Sequence, residues 1–232
     1  MYEKILTVPE PGWRTAELFH ELQDVSGDAV AEVHATGADL KKIGLMWVVV
    51  RYDVSLSRPL KPEEKLQCLT WANPFRHRMS QRNYLIRDEA GEPVLTGAGI
   101  WAVADRESRT MIEPDSYGIV FETEVTGAEH PRPAVPEKLP FVGEREYRVT
   151  ESDLDMNGHM NNTRYFTLAE QCMGEETDLP ALRRARVLYA NEALKGEALA
   201  VRWGTDRGHW YFTGEGRGKN CFQMDLDYFS GS

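Results

Sequence analysis

The stretch Asp153-Leu154-Asp155-Met156-Asn157-Gly158-His159-Met160-Asn161-Asn162-Thr163-Arg164-Tyr165-Phe166 carries more chemistry than any other part of the chain. Carboxylates, amides, an imidazole and a guanidinium stand together in it, and few of these side chains have a use in an apolar core. The run lies between an apparent strand, Tyr147 to Val149, and an apparent helix beginning near Thr163. Asp155, Asn157 and His159 are spaced i, i+2, i+4, which puts them on one face if the segment is extended. Gly158 and the neighbouring asparagines argue against helix here. Such a trio could converge on one cleft, where the imidazole and carboxylate manage a proton and the amide holds a water or polarises a carbonyl. Asn162 is expected to cap the helix, because its side chain can accept from the first free backbone N–H groups.

Two other chemistries fit part of the same run. Asp153 to Gly158 matches the opening of a calcium-binding loop, D-x-[DN]-x-[DN]-G, but the twelfth position, which needs a bidentate glutamate, is Arg164. A cation there repels calcium, and the flanks read as strand and helix, not as two helices. A cysteine nucleophile, Cys172 with His159, needs a thiol facing the loop, whereas Cys172 falls on the helix's apolar side. A turn with no function explains Gly158 and Asn162 but leaves Asp155 and His159 without a purpose. His20, His34, His77, His130 and His209 show no ligand spacing, so no metal is expected. No Gly-rich phosphate loop leads from a strand into a helix, so no nucleotide cofactor is expected either.

Composition narrows the class. The net charge of -10 disfavours nucleic acid as the main partner. Cys68, Cys172 and Cys221 are widely spaced, which suggests neither a disulfide framework nor a zinc site. No apolar run approaches the roughly 18 residues of a membrane span, and Met1 to Gly12 lacks the pattern of a secretory signal, so a cytoplasmic location is expected.

The elements that must position the loop are written twice. A strand at Lys4 to Val8 precedes a helix in which Leu18, Phe19, Leu22, Val25, Ala29, Val30 and Val33 recur at helical spacing, with a break or kink expected at Ser26-Gly27. Strands are expected at Met46 to Leu56, Lys65 to Trp71, Gln81 to Arg87 and Val94 to Ala104, with a hairpin turn at Asp88 to Glu92. Residues 113–140 are rich in proline and read as a connector. The order then recurs: strand Glu144 to Thr150, the polar loop, helix Thr163 to Gly174, and strands Arg184 to Glu192, Glu197 to Thr205, His209 to Gly214 and Asn220 to Phe229. A sheet wrapped round one long helix satisfies each half, and two such units side by side make an α+β pseudo-dimer of residues 1–112 and 141–232. The first half has Pro9-Glu10-Pro11-Gly12 where the second carries the polar loop, so a site built there occurs once per chain.

Leu154 to Tyr165 resembles the signature of the acyl-acyl carrier protein (acyl-ACP) thioesterases of bacteria and plant plastids. Trp47-Val48-Val49-Val50-Arg51 and Asn83-Tyr84-Leu85-Ile86-Arg87-Asp88 are similar to that family's N-terminal half. The resemblance covers nearly the whole chain and implies a double hotdog fold. It implies that Asp155, Asn157 and His159 act with a glutamate in a tyrosine-containing strand; Val187-Leu188-Tyr189-Ala190-Asn191-Glu192-Ala193 fits that strand, and Glu192 is the matching carboxylate. Plant members commonly carry cysteine directly after this glutamate; here Ala193 stands there, so no mechanism can rest on a thiol at that position. The plant proteins also have plastid-targeting extensions, which makes a bacterial type the closer match.

The implied reaction is hydrolysis of a medium or long fatty acyl thioester on acyl carrier protein, releasing free fatty acid and needing no cofactor. An acyl-CoA thioesterase and a non-catalytic acyl-chain binding protein are the alternatives. Glu192 serves as base if burial raises its pKa from about 4.3, while Asn157, His159 and backbone N–H groups at the helix start orient water or stabilise an oxyanion. Asp155 orients His159 or shares the base role, and direct carboxylate attack to an anhydride stays open. A leaving thiol of pKa about 8.5 needs little acid help. Asn161 and Asn162 border the site as substrate-binding candidates. The carrier is acidic like this chain, so docking would use local clusters, Arg76-His77-Arg78 with Arg82 or Arg183-Arg184 with Arg186. A monomer with internal pseudo-symmetry or a homodimer is expected.

Overall fold

The computed structural model describes residues 1–123, 133, 135, 141–174 and 180–229. The first half contains β1 (Tyr2–Thr7), α1 (Thr15–Ala31), α2 (Gly37–Lys42), β2 (Leu45–Leu56), β3 (Lys65–Ala72), β4 (Met79–Arg87) and β5 (Pro93–Asp105). The second contains β6 (Gly143–Arg148), α3 (Arg164–Met173), β7 (Leu182–Tyr189), β8 (Ala198–Asp206), β9 (His209–Gly216) and β10 (Lys219–Tyr228). All strand pairs are antiparallel and form one sheet, ordered β1-β3-β4-β5-β2-β7-β10-β9-β8-β6. From either edge inward the order is the same: first strand of the half, third, fourth, fifth, second. The repeat inferred from sequence is thus a double hotdog, with β2 and β7 joined at its centre, where Arg51 to Ser55 pair with Leu188 to Arg184.

Alternation in the strands explains which face meets the helices. In β3, Leu66, Cys68, Thr70 and Ala72 are buried while their neighbours are not. Leu18, Phe19, Leu22 and Val25 of α1 and Tyr165, Phe166, Leu168 and Ala169 of α3 supply the helical side of the same core. Phe19 stacks on Phe166 with ring centroids 4.1 Å apart, so the two helices meet between the halves. Burying either ring is worth about 1.5–3 kcal/mol, enough to favour one mutual placement of the units.

Four expectations change. The break at Ser26-Gly27 does not occur: α1 runs through it, because the Ser26 hydroxyl satisfies itself against Leu22 O at 2.6 Å and Tyr84 Oη at 2.7 Å. Val33 lies beyond the helix and is exposed. The helix after the polar loop starts one residue late, and its first turn is held by Asn161, not Asn162: Asn161 Oδ1 accepts from Thr163 N at 2.9 Å and Thr163 Oγ1 at 3.0 Å. β7 ends at Tyr189, since Ala190 N and Asn191 N both turn onto Cys221 O, and Glu192 sits on the segment that follows. In the connector, Ile119 and Phe121 pack onto first-half residues including Val103 and Trp47. Most of residues 124–140 lies outside the described residues.

Candidate active site

The polar loop is a tight turn closed by its own first carboxylate. Asp155 Oδ1 accepts from Asn157 N at 2.8 Å and His159 N at 3.2 Å, and Asp155 N donates to His159 O at 2.8 Å. Asp155, Asn157 and His159 do converge, but through this folded turn, not through the alternation of an extended strand. Gly158 takes φ +80, a value open to glycine at no steric cost. Asp155 therefore orients His159 through the backbone. Main-chain pairing then brings in the glutamate: Met160 N donates to Ala193 O at 2.9 Å, and His159 bridges to Leu194.

Across this junction His159 Nε2 lies 2.9 Å from Glu192 Oε2. The imidazole is only 13% exposed, whereas the carboxylate is 36% exposed, so the burial expected for Glu192 is not found. Burial is the first cause that holds His159 below the ordinary imidazole range near 6.5; Glu192 and Asp155 pull it up, while Arg109 and Arg106 push it down. Both arginines come from the turn after β5, in the other half of the chain. Arg109 Nη1 is 2.6 Å from His159 Nε2 and 3.6 Å from Glu192 Oε2. Arg106 donates to Asn157 Oδ1, and Asn157 Nδ2 donates to Asp155 Oδ2 at 3.3 Å. That fixes the amide with one of its two N–H donors still available among the described residues.

Neither arginine follows from the sequence pattern. They sit on an exposed hairpin some fifty positions before the loop, and only the β2–β7 junction brings them near. The resulting cleft, of about 320 Å³, has a polar wall of Asp155, Asn157, His159 and Glu192 and an apolar wall including Met46, Trp47 and Val49. Asn162 lines it; Asn161 is spent on the helix start. The N–H groups of Thr163 and Arg164 are taken by Asn161, so the helix start is not an open donor pair. Cys172 does not line the cleft, and burial raises its thiol pKa, which removes the cysteine reading. The calcium reading fails at Asp153, whose carboxylate is buried and accepts from Tyr147, Thr150 and Arg164.

Residues 13–116 match the acyl-ACP thioesterase N-terminal domain and residues 140–214 the C-terminal domain. The chain belongs to the acyl-ACP thioesterase family. The chloroplastic oleoyl-acyl carrier protein thioesterase of Coriandrum sativum is 26% identical over 164 residues, 62% of this chain; the match spans 44% of the coriander protein's length. Among solved structures, an acyl-ACP thioesterase of Bacteroides thetaiotaomicron superposes with a TM-score of 0.80 at 17% identity, covering 97% of this chain and 96% of that one. The 12:0-ACP thioesterase of Umbellularia californica gives 0.80 at 15% identity, again over 97% and 96%. At these identities the superpositions establish the double hotdog fold.

Two further features bear on how a member of this family would hold its substrate. A second cavity of about 120 Å³ lies between α1 and the first-half strands, lined by Gln23, Ser26, Val30, Arg82, Trp101 and Phe121, with Trp47 as a wall common to it and the cleft. The arginines expected to meet the carrier also separate. Arg78 donates to Met111 O at 3.3 Å, and Met111 lines the cleft, so the Arg76-His77-Arg78 hairpin stands at its rim. Arg183 and Arg184 lie near the start of β7, roughly 16–20 Å of strand before its end at Tyr189, and are engaged with Asp227 and Asp53. Arg186 pairs with Asp225 and Arg82 is buried, so neither presents a free cation to a carrier. No described helix is long and apolar enough to cross a membrane.

Proposed function

We propose that this chain hydrolyses fatty acyl thioesters on acyl carrier protein, with the acyl chain running from the cleft past Trp47 into the cavity beneath α1. The observation that carries this reading is the 2.9 Å contact of His159 with Glu192 in a cleft open between the halves. Glu192 takes a proton from water as the water oxygen bonds to the thioester carbonyl carbon, and the free N–H of Asn157 faces the oxyanion. Collapse of the tetrahedral intermediate breaks the C–S bond, and the proton passes from Glu192 to the departing thiolate. Asp155 maintains the turn that aims His159, and Asn162 borders the thioester.

The test compares the same acyl groups on carrier protein and on coenzyme A while free fatty acid is measured. Release from the carrier, with kcat lowered about 10²–10⁴-fold in Glu192→Gln and His159→Gln, is expected. Equal or better turnover of the coenzyme A ester would reassign the substrate. No turnover of either ester, with acyl binding intact, would make the chain a binding protein.

A further inference from the structure

The atom His159 Nε2 has two neighbours that demand opposite things of it. At 2.9 Å, Glu192 Oε2 calls for a proton on Nε2; at 2.6 Å, Arg109 Nη1 calls for a lone pair, since a guanidinium only donates. One nitrogen cannot satisfy both. The shorter contact is with Arg109, which also lies 3.6 Å from Glu192 and so offsets the repulsion between the bare nitrogen and the carboxylate. We propose that Arg109, from the first half of the chain, is a positioning residue that fixes His159 as the neutral Nδ1–H tautomer and leaves Glu192 free to accept a proton from water. The proposal deepens the hydrolytic reading above and rests on it for its catalytic consequence.

The turn that carries Arg109 is built to aim it. Asp105 Oδ1 accepts from Glu107 N at 3.1 Å, Ser108 N at 2.7 Å and Ser108 Oγ at 2.9 Å, and Arg109 N donates to Asp105 O at 3.0 Å. Arg109 itself takes φ +60, a region costly for a residue with a Cβ. Arg106 of the same turn clasps Asn157, so one hairpin of the first unit touches both the imidazole and the amide of the second. The charged groups facing His159 are Glu192 and Asp155, which favour the imidazolium, and Arg109 and Arg106, which oppose it together with burial. Without Arg109, the arrangement that best satisfies the pair is Nε2–H donated to Glu192, and a carboxylate that accepts this hydrogen bond is a weaker base toward water.

Nitrogen-15 NMR of histidine-labelled full chain reads the tautomer without requiring turnover, with His159 assigned by its loss in His159→Gln. In the wild type the Nδ1–H form is expected, and in Arg109→Gln the Nε2–H form with a raised imidazole pKa. The expected kinetic counterpart is a fall in kcat of about 10–100-fold with KM little changed. An Nε2–H tautomer in the wild type, or the same tautomer in both proteins, overturns the proposal; a switched tautomer with wild-type kcat overturns its catalytic half. If Arg109→Gln fails to fold, Arg109→Met, which also removes the guanidinium and can donate nothing to Nε2, is read in its place, and persistence of Nδ1–H there overturns the proposal. A wild type inactive on every thioester would sink the hydrolytic reading and leave the tautomer result standing.

Discussion

Asp155 and His159 had no structural purpose in the sequence, and the fold gives each a separate one. Asp155 is an acceptor for two backbone N–H groups, so what it needs is an oxygen at Oδ1 more than a charge. Asp155→Asn can keep that oxygen, whereas Asp155→Ala opens the turn. The expected order of kcat is therefore wild type, Asn, then Ala, with Ala lower than Asn by about tenfold or more; equal activities in the two variants would refute the turn-closing role. His159 makes a prediction about pH. Its folded pKa lies below 6.5, the unfolded value, so between the two the unfolded chain binds a proton that the folded chain refuses. That contribution to stability is present above about 6.5 and is lost as pH falls through the window beneath it. Lowering the pH from about 7 to about 5.5 should cost the wild type more melting temperature than it costs His159→Gln. An equal loss in both would show that His159 gains its proton as readily folded as unfolded. The residue types in the loop point to the trio, but the i, i+2, i+4 spacing points to an extended strand where the chain makes a folded turn, and Glu192 comes only through the family resemblance. Arg106 and Arg109 escaped because their meaning depends on a contact between halves that no local pattern encodes.

The strands were legible as runs rich in β-branched and aromatic residues between turn signals, and in β3 alternate burial also leaves a period of two. The short α2 was not: six residues give too few turns for a helical period to show, and its signal is the capping pair Thr36 and Asp39. The kink expected in α1 failed for a related reason, since the Ser-Gly signal is local and the hydroxyl's partner, Tyr84, lies on a strand far along the chain. Glycine inside β5 carries information of another kind. A Cβ on Gly97 would stand 2.7 Å from Asp53 O, 2.8 Å from Val54 Cγ2 and 3.0 Å from Val54 Cα, so β2 and β5 approach more closely there than any side chain allows. Because part of that crowding is backbone, rotamer changes cannot relieve it. Gly97→Ala should lose about 1–3 kcal/mol, read as a lower urea midpoint at unchanged m-value. A midpoint equal to the wild type's would mean that the strands shift apart without penalty.

Across the molecule, the double hotdog turns a repeat into an asymmetric machine. The second half brings the loop and Glu192; the first brings Trp47, Arg106 and Arg109; and β2 pairs with β7 between them. The same geometry decides which surface can receive an acidic carrier. A chain of net charge -10 repels such a partner at long range, so docking must rely on cations close to the cleft mouth that are free to turn outward. Arg184 is a poor candidate, since its guanidinium meets Asp53 at 3.0 and 2.8 Å across the β2–β7 junction and Asp53 is buried. Arg76 is exposed, has no ion-pair partner among the described residues, and belongs to the hairpin that touches the cleft rim through Arg78 and Met111. Reversing each charge should therefore give different phenotypes. Arg76→Glu should lower kcat/KM for acyl carrier protein by about 3–10-fold, leave the same acyl group on coenzyme A unaffected and leave the melting temperature in place. Arg184→Glu should lower the melting temperature, because it sets two carboxylates against each other in the central strand pair. Unchanged carrier kinetics in Arg76→Glu, or a carrier-specific defect in an Arg184→Glu protein of normal stability, would move the docking surface away from the hairpin and toward the start of β7.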